Sequence, residues 1–245
     1  MSGSASVWQS KLVFNKLVTG VKELHMDKSL PFDTDVLVKV LFVIAAALVI
    51  LNIINIAFDE PSWQLTRLIH LGRESNFSTW FSSAIWAIAA FLAYKCYKKS
   101  IINRLPDNIW IVLSSIFLFF SCDEVAMMHE NFGDFFNRHY FKLHIGVTSW
   151  VIVLAPFIVP IMIFMFVSLW KHLAYSKHAI CLILMGLGLF ILGSMVLEQS
   201  TALAVFKNSV ILRRAETIAE EAFEIFGSIL VIKGLLAYKP YSNNR

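Results

Sequence analysis

Six stretches of mostly apolar residues dominate the chain, and each is long enough to cross the roughly 30 Å hydrocarbon core of a bilayer as a helix. They are 36–58, 77–97, 109–130, 148–170, 178–198 and 215–238. In lipid, backbone polar groups must be satisfied within the chain, so such stretches are expected to be helical. A hydrophobic fraction of 58% agrees with this class. We therefore predict an all-α, polytopic integral membrane protein with six transmembrane helices.

The segments outside these stretches are short. The predicted organisation is an N-terminal segment 1–35, a six-span transmembrane domain 36–238 and a C-terminal tail 239–245. Within the first segment, Val13, Leu17 and Val21 share one face of a helix, while Lys11 and Lys22 fall on the other. This pattern predicts an amphipathic helix in the membrane interface, with a plain cytoplasmic tail as the alternative.

Lys and Arg are concentrated on one side of the predicted topology. They cluster in the N-terminal segment, in the connections after the second and fourth spans, and in the C-terminal tail. The positive-inside rule then places both termini in the cytoplasm. This asymmetry also explains the net charge of +4, so we expect membrane lipids and no nucleic acid as partners, and leave a homo-oligomer open.

The sequence SCDEVAMMHENFG, at 121–133, carries the densest set of ionisable groups in the apolar part of the chain. Asp123, Glu124, His129 and Glu130 fall at the end of the third span. Ionisable groups at membrane depth are costly and usually mark a function. Because spans alternate in direction, further polar groups fall on the same side: Asn52 and Asn55, Glu74 and Asn76, Glu198, and Glu216, Glu220, Glu221 and Glu224.

Helical geometry predicts how these groups face one another, at about 100° per residue. If the third span is one straight helix, Asp123 and Glu130 share a narrow arc with Met127 and Asp134. His129 then points roughly 120° away from Asp123. It can join the same site only through a local distortion or a neighbouring helix. The acids of the sixth span form a second carboxylate-rich face that has the reach to meet the first.

Electrostatics requires that so many acids be compensated, because each buried unpaired charge costs several kcal/mol. The compensation can come from bound cations, from shared protons, or from salt bridges to nearby arginines. The candidate arginines are Arg67, Arg73, Arg213 and Arg214. The alternative is that the acids are simply solvated near the positive end of a helix dipole. Glu198 resists that interpretation, since it falls at a helix C-terminus.

Other conspicuous residues have simpler interpretations. Pro156 and Pro160 are expected to bend the fourth span. Gly186, Gly188 and Gly193 are expected to let the fifth span pack closely against its neighbours. The remaining histidines are expected to be ordinary loop or interface residues: His70, His139, His144, His172 and His178.

Three motifs resemble those of a group of bacterial inner-membrane proteins of unknown activity. They are RESNFSTWFSS at 73–83, SCDEVAMMHE at 121–130 and EEAFEIFG at 220–227. The shared elements are an ExNxxTW-like motif, a DExxxxHE motif and an EExxExxG motif. The resemblance implies a bacterial plasma membrane location and supports the choice of site residues. It implies no reaction.

Two classes of function remain for the acidic side. The first is a divalent metal site. The protein would then be either a metal-binding protein or an enzyme that acts on a lipid or another amphipathic substrate. Oxygen-rich ligands favour Fe, Mn, Mg or Ca, with Zn retained as a candidate. The predicted ligands are Asp123, Glu124, His129, Glu130, Glu198, Glu220, Glu221 and Glu224. Glu124, His129 and Glu224 are the acid/base candidates, and Glu74, Asn76, Asn52 and Asn55 are expected to support the ligands.

The second class is a proton- or cation-coupled transporter, a channel or a membrane sensor that uses the same carboxylates. Against it, the inner halves of the fourth and fifth spans, 159–166 and 182–192, are almost wholly apolar. Against the metal enzyme, the Glu-x-x-His pair of di-iron bundles is missing, since Glu124 and His129 are five residues apart. Whether the protein is an enzyme stays open at this point.

Overall fold

The computed structural model describes residues 34–102, 107–141, 149–200 and 209–239, and it confirms the all-α class for that part of the chain. The helices are α1 (Thr34–Ala57), α2 (Trp63–Ile69), α3 (Phe77–Ile102), α4 (Ile109–Ala126), α5 (Met128–Phe136), α6 (Ser149–Trp170), α7 (Leu173–Ile191) and α8 (Val210–Ala237). A π-helical turn, Asn137–Phe141, follows α5. A π-helical segment, Leu192–Leu197, and a helical turn, Glu198–Ser200, continue α7.

Contacts divide the chain into two compact units, Met1–Leu37 and Val38–Arg245. Of the first unit the described residues are only the beginning of α1, so the predicted interfacial helix of 1–35 lies almost wholly outside them. The second unit contains the rest of α1 and all the other described helices.

Five of the described helices are long and apolar enough to cross a membrane. They are Thr34–Ala57, Phe77–Ile102, Ile109–Ala126, Val153–Trp170 and Leu173–Ser200. The second and fifth are longer than the sequence pattern predicts, because the second continues through Lys98, Lys99 and Ser100 and the fifth begins before Ser176 and Lys177. α8 is also 28 residues long, but the charged residues along it keep it out of this set.

The core is formed by α3, α4, α7 and α8, with α8 packed against α7 and α3, and α3 packed against α4. The fully buried Trp86 ring lies among Phe117, Phe120 and Phe190, at centroid distances of 5.2, 5.0 and 4.8 Å. Lipid offers no hydrophobic drive for helices to associate, so close van der Waals contact of this kind must hold them together. This aromatic cluster joins α3, α4 and α7.

Glycines set how closely α7 and α8 approach. A Cβ on Gly186 would lie 2.5 Å from the carbonyl oxygen of Gly227, and a Cβ on Gly227 would lie 2.6 Å from that of Gly186. Gly193 is equally tight against α8. The expectation of close packing therefore holds for Gly186 and Gly193. It is wrong for Gly188, since a Cβ there would meet nothing within 4 Å.

α6 stands apart from this core. It packs chiefly against α5 and makes only sparse contacts with α4 and α7. Most of its span is exposed, with only 11% buried inside the protein. Pro156 and Pro160 lie within the helix as expected. The sparse packing leaves a gap between α6 and the helices α4 and α7.

A buried polar network lies at the end of the bundle opposite the acids. His172 is 2% exposed, and its Nε2 lies 2.7 Å from Asp107 Oδ2. Its Nδ1 contacts the hydroxyl groups of Tyr175 and, at 3.1 Å, Tyr238. The network ties the start of α4 to the α6–α7 turn and to the end of α8. The expectation that His172 is an ordinary loop residue is therefore wrong, whereas His139 and His178 are exposed as predicted. His144 lies outside the described residues.

Candidate functional site

A cavity of about 970 Å³ connects the acidic groups of different helices. Eight carboxylates and one histidine line it: Glu74, Asp123, Glu124, Glu130, Glu198, Glu220, Glu221, Glu224 and His129. The rest of the lining is largely aliphatic and aromatic, from α4, α6 and α7. Among the described residues that line it, none is a Lys or an Arg. All eight predicted ligands therefore surround one space.

The third predicted span is not one helix, and the cause is a break at Met127. Met127 has φ 51° and ψ 40°, in the left-handed region, and its N–H donates to the Asp123 carbonyl at 2.7 Å. α4 ends there and α5 starts in a new direction. The prediction of a single helix over 109–130, with Asp123 and Glu130 on one shared arc, is wrong for this reason.

The break brings His129 to Asp123. The His129 backbone N–H donates to Asp123 Oδ1 at 2.8 Å, so Asp123 caps the start of α5. The His129 ring Nδ1 lies 2.5 Å from Asp123 Oδ2. The break at Met127 is therefore the local distortion that allows His129 to join the same site as Asp123. The Nε2 side of the ring remains for other contacts.

We expect the effect of a substitution at Met127 on stability to depend on how well the new residue tolerates a positive φ angle. Met127→Gly should leave the melting temperature (Tm) of the purified protein close to that of the wild type, because glycine adopts this conformation freely. Met127→Val should destabilise the fold by about 1–2 kcal/mol, because a β-branched residue is strained there. Thermal unfolding in detergent measures both. Equal Tm values for the two variants would contradict the break.

A second irregularity positions Glu198. The π-helical segment Leu192–Leu197 precedes it and rotates the following residues about the helix axis relative to a regular α-helix. Glu198 Oε1 accepts a hydrogen bond from Trp150 Nε1 of α6 at 2.8 Å. The Trp150 ring in turn meets the His129 ring edge-on, with centroids 4.7 Å apart. Glu198, Trp150 and His129 therefore form one connected wall.

α8 supplies three acids from the middle of its length. Glu220, Glu221 and Glu224 line the cavity, and Gly193 allows their helix to come close to the π-helical segment, where a Cβ would lie 2.8 Å from Glu224 Cγ. Glu216 lies apart from the cavity. One of its oxygens accepts from Ser200 Oγ at 3.2 Å, and the other is buried with no hydrogen-bond partner among the described residues.

The predicted supporting groups divide into two sets. Glu74 lines the cavity, and Thr79 Oγ1 donates to it at 3.4 Å. Asn76, Asn55 and Asn52 do not line it. Asn76 caps α3 by accepting from the Thr79 N–H at 3.0 Å, and Asn55 donates to Thr66 Oγ1 at 3.0 Å. Asn55 and Asn76 thus hold the α1–α2–α3 connection in place, whereas Asn52 is buried and its Oδ1 has no hydrogen-bond partner among the described residues.

Arginines do not neutralise the lining acids in the described part of the chain. The ion pairs there are His129–Asp123, Arg138–Asp134, His172–Asp107 and Arg214–Glu60. Of these, only the first involves a cavity acid. Arg214, which the sequence offered as compensation, is 3.2 Å from Glu60 instead. Bound cations and shared protons therefore stay candidates for the compensation of these acids.

The acids surround the space without converging on one point. No group of three or more His, Cys, Asp and Glu among the described residues is already arranged to hold a metal ion. Ligation of a metal would therefore require carboxylate side chains to move inward. Glutamates can make such movements by changing rotamer, since they reach the cavity on flexible side chains.

Two cavity groups outside the long apolar helices, Glu74 and His129, have raised pKa values. Burial, and then the negative charge of Glu130, raise the pKa of Glu74 above its ordinary value of 4.5. For His129, burial alone lowers the pKa, but the hydrogen bond to Asp123 and the charges of the surrounding carboxylates outweigh it, so the pKa lies above the ordinary 6.5. Both groups bind a proton more tightly in the folded state than in the unfolded state.

This linkage predicts that stability falls as pH rises. The contribution of Glu74 is fully present below about pH 4.5 and that of His129 below about pH 6.5, and each is lost as pH rises through its raised folded pKa. We expect Tm in metal-free buffer to decrease between about pH 5 and pH 8. His129→Gln should flatten the upper part of that decrease. A Tm that rises over this interval would contradict the assignment.

Comparison with known protein families gives one match. A family model described as a domain of unknown function, DUF8692, matches residues 40–238. Comparisons with curated proteins and with solved structures found no match. The matched range includes most of α1, all of α8 and every residue that lines the cavity. The chain therefore belongs to the DUF8692 family of domains of unknown function.

Proposed function

We propose that the protein is a six-span membrane protein of the bacterial inner membrane, with both termini in the cytoplasm and the acidic cavity open to the outer side. α8 is the proposed sixth span, since it runs against α7 and α3 and its second half is apolar. Six spans return the chain to the side on which it starts. The distribution of Lys and Arg favours the cytoplasm for that side.

We further propose that the acidic end binds a cation and that the apolar part of the cavity binds an amphipathic molecule. The observation that carries this proposal is one continuous cavity with eight carboxylates at one end, an apolar lining elsewhere, and no Lys or Arg among its described lining residues. Ionised carboxylates in a partly dry site need nearby positive charge. A bound cation supplies it directly.

A divalent metal is our first candidate for that cation. Carboxylate oxygens suit Mg²⁺, Ca²⁺, Mn²⁺ and Fe²⁺, and a single histidine does not favour Zn²⁺ over them. A metal held there would polarise a substrate oxygen or activate water. His129, oriented by Asp123 at 2.5 Å, is placed to transfer a proton, with Glu124 and Glu224 as further acid/base candidates.

Binding or enzymatic action fits the cavity better than conduction. The inner part of the cavity is lined by apolar side chains such as Met162, Met165 and Leu184. An ion crossing the membrane would need polar groups in this region. The alternative of a cation-coupled transporter, channel or sensor therefore lacks a supporting observation among the described residues.

The proposal predicts metal-dependent stability. After removal of bound metal with a chelator, adding Mn²⁺, Mg²⁺, Ca²⁺, Fe²⁺ or Zn²⁺ one at a time should raise Tm for at least one of them. At a concentration of 100 times Kd the stabilisation is about 2.7 kcal/mol. An acid outside the cavity provides the control, since Asp134→Asn removes only the exposed pair with Arg138. If no divalent ion raises Tm, the metal assignment is wrong.

A further inference from the structure

The apolar part of the cavity is long as well as large. Along α6 its lining begins at Trp150, beside the acids, and reaches Phe166. Sixteen residues of helix span about 24 Å, which is most of the roughly 30 Å hydrocarbon thickness of a bilayer. We call this region, lined by α4, α6 and α7, the slot. Its length suits an extended hydrocarbon chain better than a compact small molecule.

The slot opens sideways, toward the position of the lipid. Phe119, Phe157 and Ile161 line it and are nevertheless 50%, 67% and 46% exposed. Because these side chains both line the slot and lie on the outer surface, they mark the place where the slot reaches that surface. The opening follows from α6, which makes only sparse contacts with α4 and α7. A chain in the surrounding lipid therefore has a direct route into the slot.

Charge at the acidic end of the cavity selects the head group. The slot leads to eight carboxylates, and no Lys or Arg among the described lining residues is available to bind a phosphate or a carboxylate. One divalent cation carries less positive charge than the eight carboxylates carry negative charge when ionised. An ammonium group adds positive charge and N–H donors that carboxylates accept. A phosphate adds more negative charge to the same place.

We propose that the slot binds a long-chain amine, which enters sideways from the bilayer, lays its hydrocarbon chain along α6 and places its ammonium group among the carboxylates. The inference rests on the proposed function, which assigns an amphipathic ligand to this cavity. It adds the ligand class and the route of entry. The apolar wall and the acid end each restrict a different part of the ligand.

The test compares three probes that share one chain length. Native mass spectrometry of the full-length, detergent-purified protein would be run with hexadecylamine, hexadecanol and hexadecanoic acid. We expect hexadecylamine to bind at least tenfold more tightly than hexadecanol, and hexadecanoic acid to bind most weakly. Equal binding of the amine and the acid would overturn the head-group assignment.

A pair of variants on α7 tests the slot itself. Gly188 lines the slot with open space at its Cβ position, whereas Met185 lies on the same helix, is 60% exposed and does not line the slot. Gly188→Phe should reduce hexadecylamine binding at least tenfold, and Met185→Phe should leave it unchanged. Both variants should keep the wild-type Tm. Undiminished binding in a folded Gly188→Phe variant would overturn the proposal. A wild type that is dimeric and a Gly188→Phe variant that is monomeric would also overturn it, because the slot would then be the contact surface for a second copy of the chain.

Metal content separates this inference from the proposed metal site. Both α7 variants should retain whatever metal the wild type holds, because neither residue carries a ligand. Metal bound without amine binding would refute the amine inference and leave the metal site standing. Amine binding by a protein that takes up no metal would refute the metal site and leave the slot assignment standing.

Discussion

Replacing Gly186 by alanine is expected to lower Tm substantially, whereas Gly188→Ala, two residues away, should not lower it. A Cβ on Gly186 would lie 2.5 Å from the Gly227 carbonyl oxygen and 2.7 Å from the Val231 backbone nitrogen. Both are backbone atoms of α8 and cannot rotate away, so the two helices must separate. Overpacking of this kind costs about 1–3 kcal/mol, and in a protein of this size each kcal/mol lowers Tm by roughly 2–4 °C.

Gly188→Ala is a close control, because it makes the same chemical change in the same helix with nothing within 4 Å of the new methyl group. It also has a slightly higher helix propensity than the wild type. Thermal unfolding of both variants in the same detergent provides the comparison. Equal effects of the two substitutions would mean that α7 and α8 do not pack through Gly186 and Gly227.

The second large effect is expected from removing two charges on α8. The double variant Glu221→Gln and Glu224→Gln should weaken cation binding by at least about 100-fold, since loss of even the groups that support metal ligands weakens affinity 10- to 100-fold. Without a cation, the same variant should be more stable than the wild type, because Glu220 and Glu224 are a like-charged pair four residues apart and other cavity acids lie nearby. The two effects have opposite signs.

Opposite signs make this prediction specific to a charged site. A purely structural role for the glutamates predicts a loss of stability in the variant with and without metal. Titration of metal-free protein with the best ion, monitored by Tm, measures both quantities. Asp134→Asn, outside the cavity, should change neither. A double variant that keeps wild-type cation affinity would remove these two acids from the proposed ligand set.

The sequence could predict that the acids lie at the same end of the helices, because this placement depends only on the alternating direction of successive apolar helices. Asp123 ends one apolar run, Glu198 ends another and Glu220 begins the next. Small errors in the helix ends do not alter that alternation. For the same reason, the predicted bounds of the second and fifth spans could be several residues short while the acids still met around one cavity.

The local geometry of the site was not predictable from the same patterns. Helices that end in a left-handed residue usually do so at Gly or Asn, and Met127 gives no such signal. The break forms because Asp123 satisfies the N–H and ring of His129, a contact between residues six positions apart. The π-helical segment before Glu198 likewise has no signature in helical periodicity. A regular α-helix was the default in both places.

Tertiary contacts also decided the role of His172. In the sequence it follows a span and precedes an apolar run, as many interface residues do. Its partners, Asp107 and Tyr238, are 65 and 66 positions away. A single sequence carries no indication that the starts and ends of three different helices meet at this point. The gap beside α6 is a similar case, since it reflects which helices fail to pack together.

Elemental analysis of the detergent-purified protein by inductively coupled plasma mass spectrometry measures directly whether the cavity binds a metal. Wild type, Glu124→Gln, Glu224→Gln and the control Asp134→Asn would be purified in parallel and exposed to the same metals. We expect near-stoichiometric divalent metal in the wild type and the control, and its loss in both cavity variants. Absence of metal from the wild type after reconstitution with Fe, Mn, Mg, Ca and Zn would contradict the proposed metal site.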